Sequence, residues 1–238
     1  PALGYLAGWA SLLVGFSAPI AVDALAAGAF AHAVSSALPA TAVAVTLVLA
    51  LTALHSLRLD LSTRAQGVLV AVKVLLVTTF VGVGVVNGSL AWPTWNPPSG
   101  APASFPLADF MGSLFFIAFA FSGWNAAVYA AGEFKDAKRD VPRAMLLGCL
   151  GVGALYLVMN YLFVANLTPA DGTVVFRYDS EQVTLGHAVM RRWAGDTAAT
   201  AMSAVIVLLF TSAMSAMILL GPRVYAAMAK DGFLPKAL

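Results

Sequence analysis

Six apolar runs divide this chain, and most are long enough to cross a bilayer, which leaves few folds open to it. A spanning helix needs about 20 predominantly apolar residues. The runs cover approximately 3–31, 39–53, 66–86, 108–131, 144–167 and 197–220. Inside lipid every backbone N–H and C=O must find its partner within the protein, so segments of this kind fold as helices. The expectation is an all-α polytopic membrane protein with six transmembrane helices, forming one transmembrane domain over residues 1–238.

Composition closes the soluble alternative. The chain is 61% hydrophobic and 10% charged, against about a quarter charged in a soluble domain. That leaves too little polar surface to cover a core of this size. A net charge of +2, with no basic stripe interleaved with aromatics, excludes nucleic acid as a partner. Cys149 has no second cysteine to pair with and reads as inert packing. His32, His55 and His187 fall at span ends or in loops without metal-ligand spacing. They read as interfacial, and neither a metal nor a cofactor is expected. The spans contain no Ser/His/Asp set, paired acids or HExxH, so no catalytic residues are assigned and an enzyme is not expected. The chain opens at Pro1 rather than Met and shows no signal-peptide pattern, so a piece of a longer protein is expected.

Orientation follows from Lys and Arg placement. With the first span entering from the cytoplasm, nine fall on that side: Arg58, Arg64, Lys135, Lys138, Arg139, Arg143, Arg223, Lys230 and Lys236. Three fall on the other: Arg177, Arg191 and Arg192. The outer stretch from Asn87 to Leu107 carries Trp92, Trp95 and five prolines and reads as an ordered interfacial loop. In the second outer stretch, Val183 to Trp193 has the pattern of a short amphipathic helix over the extracellular mouth.

The fourth run is unusual. Residues 119–143 read FAFSGWNAAVYAAGEFKDAKRDVPR, an apolar helix interrupted by Ser122-Gly123 near mid-depth and expected to recover before a charge cluster. An interruption at that depth survives only against protein or a water-filled cavity. Unwinding would expose N–H groups that attract a carboxylate and carbonyls that suit an ammonium group. Phe119, Phe121, Ser122, Gly123, Trp124 and Asn125 are therefore candidate substrate-binding residues. The competing reading is a packing notch that lets helices approach closely. Ala118, Ala120, Ala126 and Ala127 around the break leave volume for a neutral or bulky side chain.

Lys73 lies about nine residues inside the third run, roughly 13 Å from the cytoplasmic edge at 1.5 Å per residue. An ionisable group that deep is costly and marks a candidate functional site. Pro19 is expected to break the first run, and Asp23, just past it, is a candidate partner for a cation or an ammonium group. Thr211, Ser212 and Ser215 bring hydroxyls to the sixth run. Such hydroxyls also bond the carbonyl four residues back or a neighbouring helix, and both readings stand. Glu133, Lys135, Asp136, Arg139 and Arg143 make a mixed-sign cytoplasmic cluster, read either as a salt-bridge latch at an inner gate or as a solvated loop.

Three stretches carry a family resemblance. F-A-F-S-G-W-N with Glu133 and K-D-x-x-R-D-V-P-R-A resembles the sixth transmembrane segment and following loop of amino acid permeases in the amino acid/polyamine/organocation superfamily. The L-type amino acid transporters and their bacterial relatives resemble it most. Leu57 to Leu75 is similar to the family's loop and fifth segment, and Gly221 to Pro235 to the signature after its eighth. The resemblance implies a LeuT-type fold of two inverted five-helix repeats, only part of which, about helices three to eight, is in this chain. It implies secondary active transport of amino acids through the plasma (inner) membrane by alternating access, as proton-coupled symport or exchange. It also implies that Lys73, Thr211, Ser212 and Ser215 form a coupling site for protons, the alternative for Lys73 being a structural ammonium bonded to carbonyls of the broken helices, and that Phe119 is an aromatic lid. Glu133, Arg139 and Arg143 would be the cytoplasmic gate. The partners implied are an amino acid, the lipid bilayer, protons, and the helices absent from this chain that carry the other half of the site. Polyamine substrates stay open. The rival expectation is a non-transporting membrane module, a truncated permease acting as a sensor or assembly partner.

Overall fold

The computed structural model describes residues 2–57, 59–92, 107–168 and 184–233, and every regular element among them is helical. Arg58, Trp95, Arg177, Lys236 and the proline-rich stretch after Trp92 lie outside the described residues, as does the side chain of Phe119. The helices are α1 (Ala2–Ala10), a π-helical stretch (Ser11–Ser17), α2 (Ala18–Val34), α3 (Ala40–Leu57) and α4 (Leu59–Asn87). They continue with α5 (Leu107–Ala120), α6 (Ala126–Tyr129), a 3₁₀ turn (Ala131–Glu133), α7 (Ala137–Asn166) and α8 (Leu185–Lys230). The chain divides into two compact units, Pro1–Leu90 with Met159–Leu238, and Ala91–Val158.

Four stretches are long and apolar enough to cross a membrane: Leu3–Val34, Asp60–Asn87, Ala137–Asn166 and Leu185–Lys230. The helix Ala40–Ser56 is apolar but shorter. The expected span at 108–131 is divided, its longest part being the 14 residues of α5. Six spans thus require counting α3 and the divided segment.

In the first unit, the break expected at Pro19 is absent. The helix continues through the π turn, and Pro19 sits in the first turn of α2. A π turn widens the ladder just before a residue that has no N–H to donate. Ser17 Oγ bonds Leu12 O at 2.8 Å, five residues back, and so serves a carbonyl of that turn. α2 packs against α3 and α8 through a buried cluster of Ala24, Ala27, Ala44, Leu51 and Met214. Small residues let these backbones approach closely. At Gly28 the approach is extreme, since a Cβ there would lie 2.2 Å from Ala40 O.

A polar knot ties the far ends of α4 and α7 to the start of α8. Asn166, 6% exposed, accepts from Ser89 N–H at 2.7 Å and Trp193 Nε1–H at 3.1 Å. Its Nδ2 donates to Ser89 O at 3.0 Å and Leu162 O at 2.8 Å. Both amide protons are used and the oxygen accepts twice, which fills the side chain's capacity. The helix expected over residues 183–193 begins at Leu185, capped by Thr184, whose side chain accepts from His187 N–H. It joins the rest of α8 through Gly195, whose φ of 81° breaks the helical path.

The second unit holds α5, the interruption, α6, the 3₁₀ turn and most of α7. The helix recovers after the interruption for only four residues, not as far as Glu133. Its bonds there reach back three residues: Ala126 N–H to Gly123 O at 2.9 Å, Val128 N–H to Asn125 O at 3.0 Å and Glu133 N–H to Ala130 O at 2.9 Å. That tighter winding does not sustain long runs.

Candidate functional site

The break falls at the Ser-Gly pair. The α5 ladder ends with Phe121 N–H on Ile117 O at 3.2 Å. Gly123 then turns with φ +87°, a left-handed conformation that costs any other L-residue energy. Among the described residues, the N–H groups of Ser122 and Trp124 have no backbone partner. Ala120 O, released by the break, accepts from Tyr156 Oη at 3.0 Å, and the Tyr156 ring lies 5.0 Å from that of Phe121. Asn125 Nδ2 donates to Tyr129 Oη at 2.9 Å, bracing the restart.

These residues line a cavity of about 310 Å³. Phe121, Ser122, Gly123, Trp124, Ala126 and Ala127 form one side, and α7 supplies Ala144, Met145, Gly148, Cys149 and Val152 on the other. Among the described residues, the lining carries no charged side chain. Cys149, expected as inert packing, borders this cavity. Five of the six candidate binding residues are thus described in full, and all five sit at the interruption.

In the charge cluster, Glu133, Arg139 and Arg143 are exposed. Asp136 caps α7: its carbonyl accepts from Asp140 N–H at 2.8 Å and its Oδ1 lies 3.3 Å from Arg139 N.

The coupling-site candidates lie in the first unit. Lys73 on α4 is half-buried and interacts electrostatically with Asp23 of α2. Thr211 Oγ1 bonds Val207 O at 2.7 Å, four residues back. Ser212 is 1% exposed, and its Oγ has no partner. Ser215, fully buried, bonds Gln66 Oε1 at 2.5 Å and His55 Nε2 at 2.8 Å. The three hydroxyls therefore meet three different fates, and none bonds Lys73.

Comparison with known proteins decides the family. The family model described as "Amino acid permease" matches residues 1–238. The chain belongs to the amino acid permease family. It is similar to the human Asc-type amino acid transporter 1, 24% identical over 184 residues, covering 71% of this chain and 34% of that protein. It is also similar to the low-affinity putrescine importer PlaP of Escherichia coli (strain K12), 28% identical over 170 residues, covering 68% of this chain and 36% of the importer. The human large neutral amino acids transporter small subunit 2 is 25% identical over 180 residues, covering 74% and 32% respectively. The chain spans about a third of the length of these relatives. With its apolar helices, this permease is an integral multi-pass membrane protein, and its family is one of transporters rather than enzymes.

The structure also adds residues to this permease's polar interior. His55, read from sequence as interfacial, bonds Ser62 Oγ at 2.5 Å through Nδ1 as well as Ser215. His187, read the same way, is 8% exposed, bonds Ser203 Oγ at 2.8 Å and stacks on Phe30 at 5.9 Å. One signal was present: Ser62, Gln66 and Lys73 lie four and seven residues apart, on one face of α4.

Proposed function

We propose that this permease is part of a secondary transporter that carries amino acids across the plasma (inner) membrane by alternating access. The observation that supports it most is the interruption at Ser122-Gly123, where the N–H groups of Ser122 and Trp124 have no backbone partner among the described residues and border a cavity. Donors aimed from a helix break suit a substrate carboxylate. The uncharged lining favours a neutral amino acid over a polyamine. Phe119 acts as the lid, Phe121, Ser122, Gly123 and Trp124 line the pocket, and Asn125 beside them contributes to substrate binding. Lys73, with Ser212 and the neighbouring Thr211 and Ser215, forms the site that couples proton movement or exchange to transport. Glu133, Arg139 and Arg143 make the inner gate. The reading includes six spans, entry from the cytoplasm, and an inverted-repeat fold completed by helices equivalent to the family's first two and last ones.

Reconstitution into proteoliposomes tests it. A panel of labelled amino acids with and without a proton gradient should show uptake of neutral substrates. Lys73→Ala should abolish uptake or free it from pH, and wild-type pH dependence in that variant would remove the coupling role. Absence of uptake across the whole panel would favour a non-transporting module instead.

A further inference from the structure

The hydrogen bonds around His55 run in one direction. Ser215 Oγ and Gln66 Oε1 lie 2.5 Å apart, a separation that fits O–H···O and is shorter than N–H···O contacts run. Ser215 therefore gives its proton to Gln66. Having given it, Ser215 can only accept from His55 Nε2, 2.8 Å away. His55 is then the Nε2–H tautomer, and its bare Nδ1 must accept the Ser62 proton across 2.5 Å. The chain reads Ser62 to His55 to Ser215 to Gln66, with the two serines fully buried. Each link joins different helices: α4 to α3, α3 to α8, and α8 back to α4.

We propose that His55 is a positioning residue: its Nε2–H tautomer commits Ser215 to Gln66, braces α3, α4 and α8 together, and leaves Ser212 as the open hydroxyl of α8. This rests on reading α8 as part of the coupling site. Thr211 is spent on Val207 O and Ser215 on Gln66, so Ser212 alone of the three keeps both its proton and its lone pairs, while buried.

A second proton on His55 reverses one link of the arrangement. Nδ1–H would then point at Ser62 Oγ, and the Ser62 proton would have to turn away from the ring. An imidazolium there also meets the wrong surroundings. Among the charged groups on the helices packed around it, Arg223 of α8 is the one that acts on His55 electrostatically. Asp60 and Arg64 of α4 are exposed, Lys73 of α4 and Asp23 of α2 act on one another, and His32 of α2 bonds Leu38 O. Among the described residues, no carboxylate acts on the ring to repay the charge. The brace is therefore most favourable with His55 neutral and weakens at its Ser62 link as the pH falls, while Nε2–H goes on donating to Ser215.

Side-chain ¹⁵N spectra of histidine-labelled protein in nanodiscs test this, the His55 signals being assigned by what disappears in H32Q and in H187Q. At pH 8, His55 should show an unprotonated Nδ1 and a protonated Nε2. The opposite tautomer would mean that Gln66 donates to Ser215, and it would overturn the proposal. Thermal midpoints give a second reading. Relative to H55Q, which cannot titrate, the wild type should lose a few degrees between pH 8 and pH 5, and superposable profiles would also overturn it. If H55Q does not fold, the tautomer measured on the unmodified ring still decides. Failure of the transport reading would show as absent uptake and would leave both of these measurements untouched.

Discussion

Replacing Gly123 with alanine isolates the backbone contribution to the break. Nothing lies within 4 Å of the Cβ that alanine would add, so no clash enters. What remains is a φ of +87°, which costs an L-residue about 1–2 kcal/mol. That is roughly a 5–30-fold loss of the broken conformer against a straightened one. If the transported amino acid binds only the broken conformer, its apparent affinity falls by the same factor. The concentration dependence of uptake in proteoliposomes should show KM rising within that range for Gly123→Ala. The thermal midpoint should drop by about 2–8 °C at 2–4 °C per kcal/mol. Gly123→Asn should be milder, because asparagine tolerates positive φ, and Gly123→Val harsher, because it is β-branched. A Gly123→Val protein with wild-type KM and midpoint would refute the reasoning, since the break would then owe nothing to glycine's freedom.

Gly28→Ala makes the opposite case, a clash without strain. Its Cβ would meet Ala40 O at 2.2 Å, forcing α2 and α3 apart at a cost of about 1–3 kcal/mol. Its thermal midpoint should fall, while Gly67→Ala, a helical site with nothing within 4 Å, should raise it through the roughly 0.5–1 kcal/mol that glycine costs mid-helix. Asn166→Ala would strip the Ser89 amide and the Trp193 Nε1–H of their acceptor, and a buried group left unpaired costs about 1–3 kcal/mol. Hydrogen exchange at the Ser89 amide should accelerate in that variant, and an unchanged rate would show that the knot is not what protects it.

The interruption was legible because it depends on local chemistry. Ser122-Gly123 inside an apolar run marks a place where the ladder stops, and a positive φ at the glycine follows from the residue type. The length of recovery was not legible. Whether Asn125 to Glu133 winds as α-helix or as tighter turns is settled by bonds such as Ala126 N–H to Gly123 O, and apolar periodicity is similar for both. Pro19 misled for a related reason: a proline in a span predicts a break, but a π turn one step earlier absorbs it without one. The histidines were misplaced because exposure at a helix end depends on what packs there. His55 sits two residues from the end of α3, and only the approach of α4 and α8 turns that end into an interior. The partners themselves were written in the sequence as a stripe on α4, but a stripe does not name the helix that it faces.

Polar groups at membrane depth in this permease fall into two sets, and the division bears on where movement occurs. Asn166 has every donor and acceptor engaged, and Ser62, His55, Ser215 and Gln66 pass their protons along a closed line. Breaking either costs a buried hydrogen bond with no water to replace it, so these regions are the ones expected to stay rigid. Among the described residues, the buried Ser212 Oγ has no hydrogen-bond partner, and the N–H groups of the exposed residues Ser122 and Trp124 have no backbone partner. A buried group without a partner is a standing cost, and a bound carboxylate, ammonium or cation removes it. Binding free energy in such a protein is therefore concentrated where the resting state is least satisfied. Titrating His55 disturbs its Ser62 link alone, because Nε2–H goes on donating to Ser215 and Ser215 to Gln66, so Ser212 stays the open hydroxyl whichever way the ring is charged.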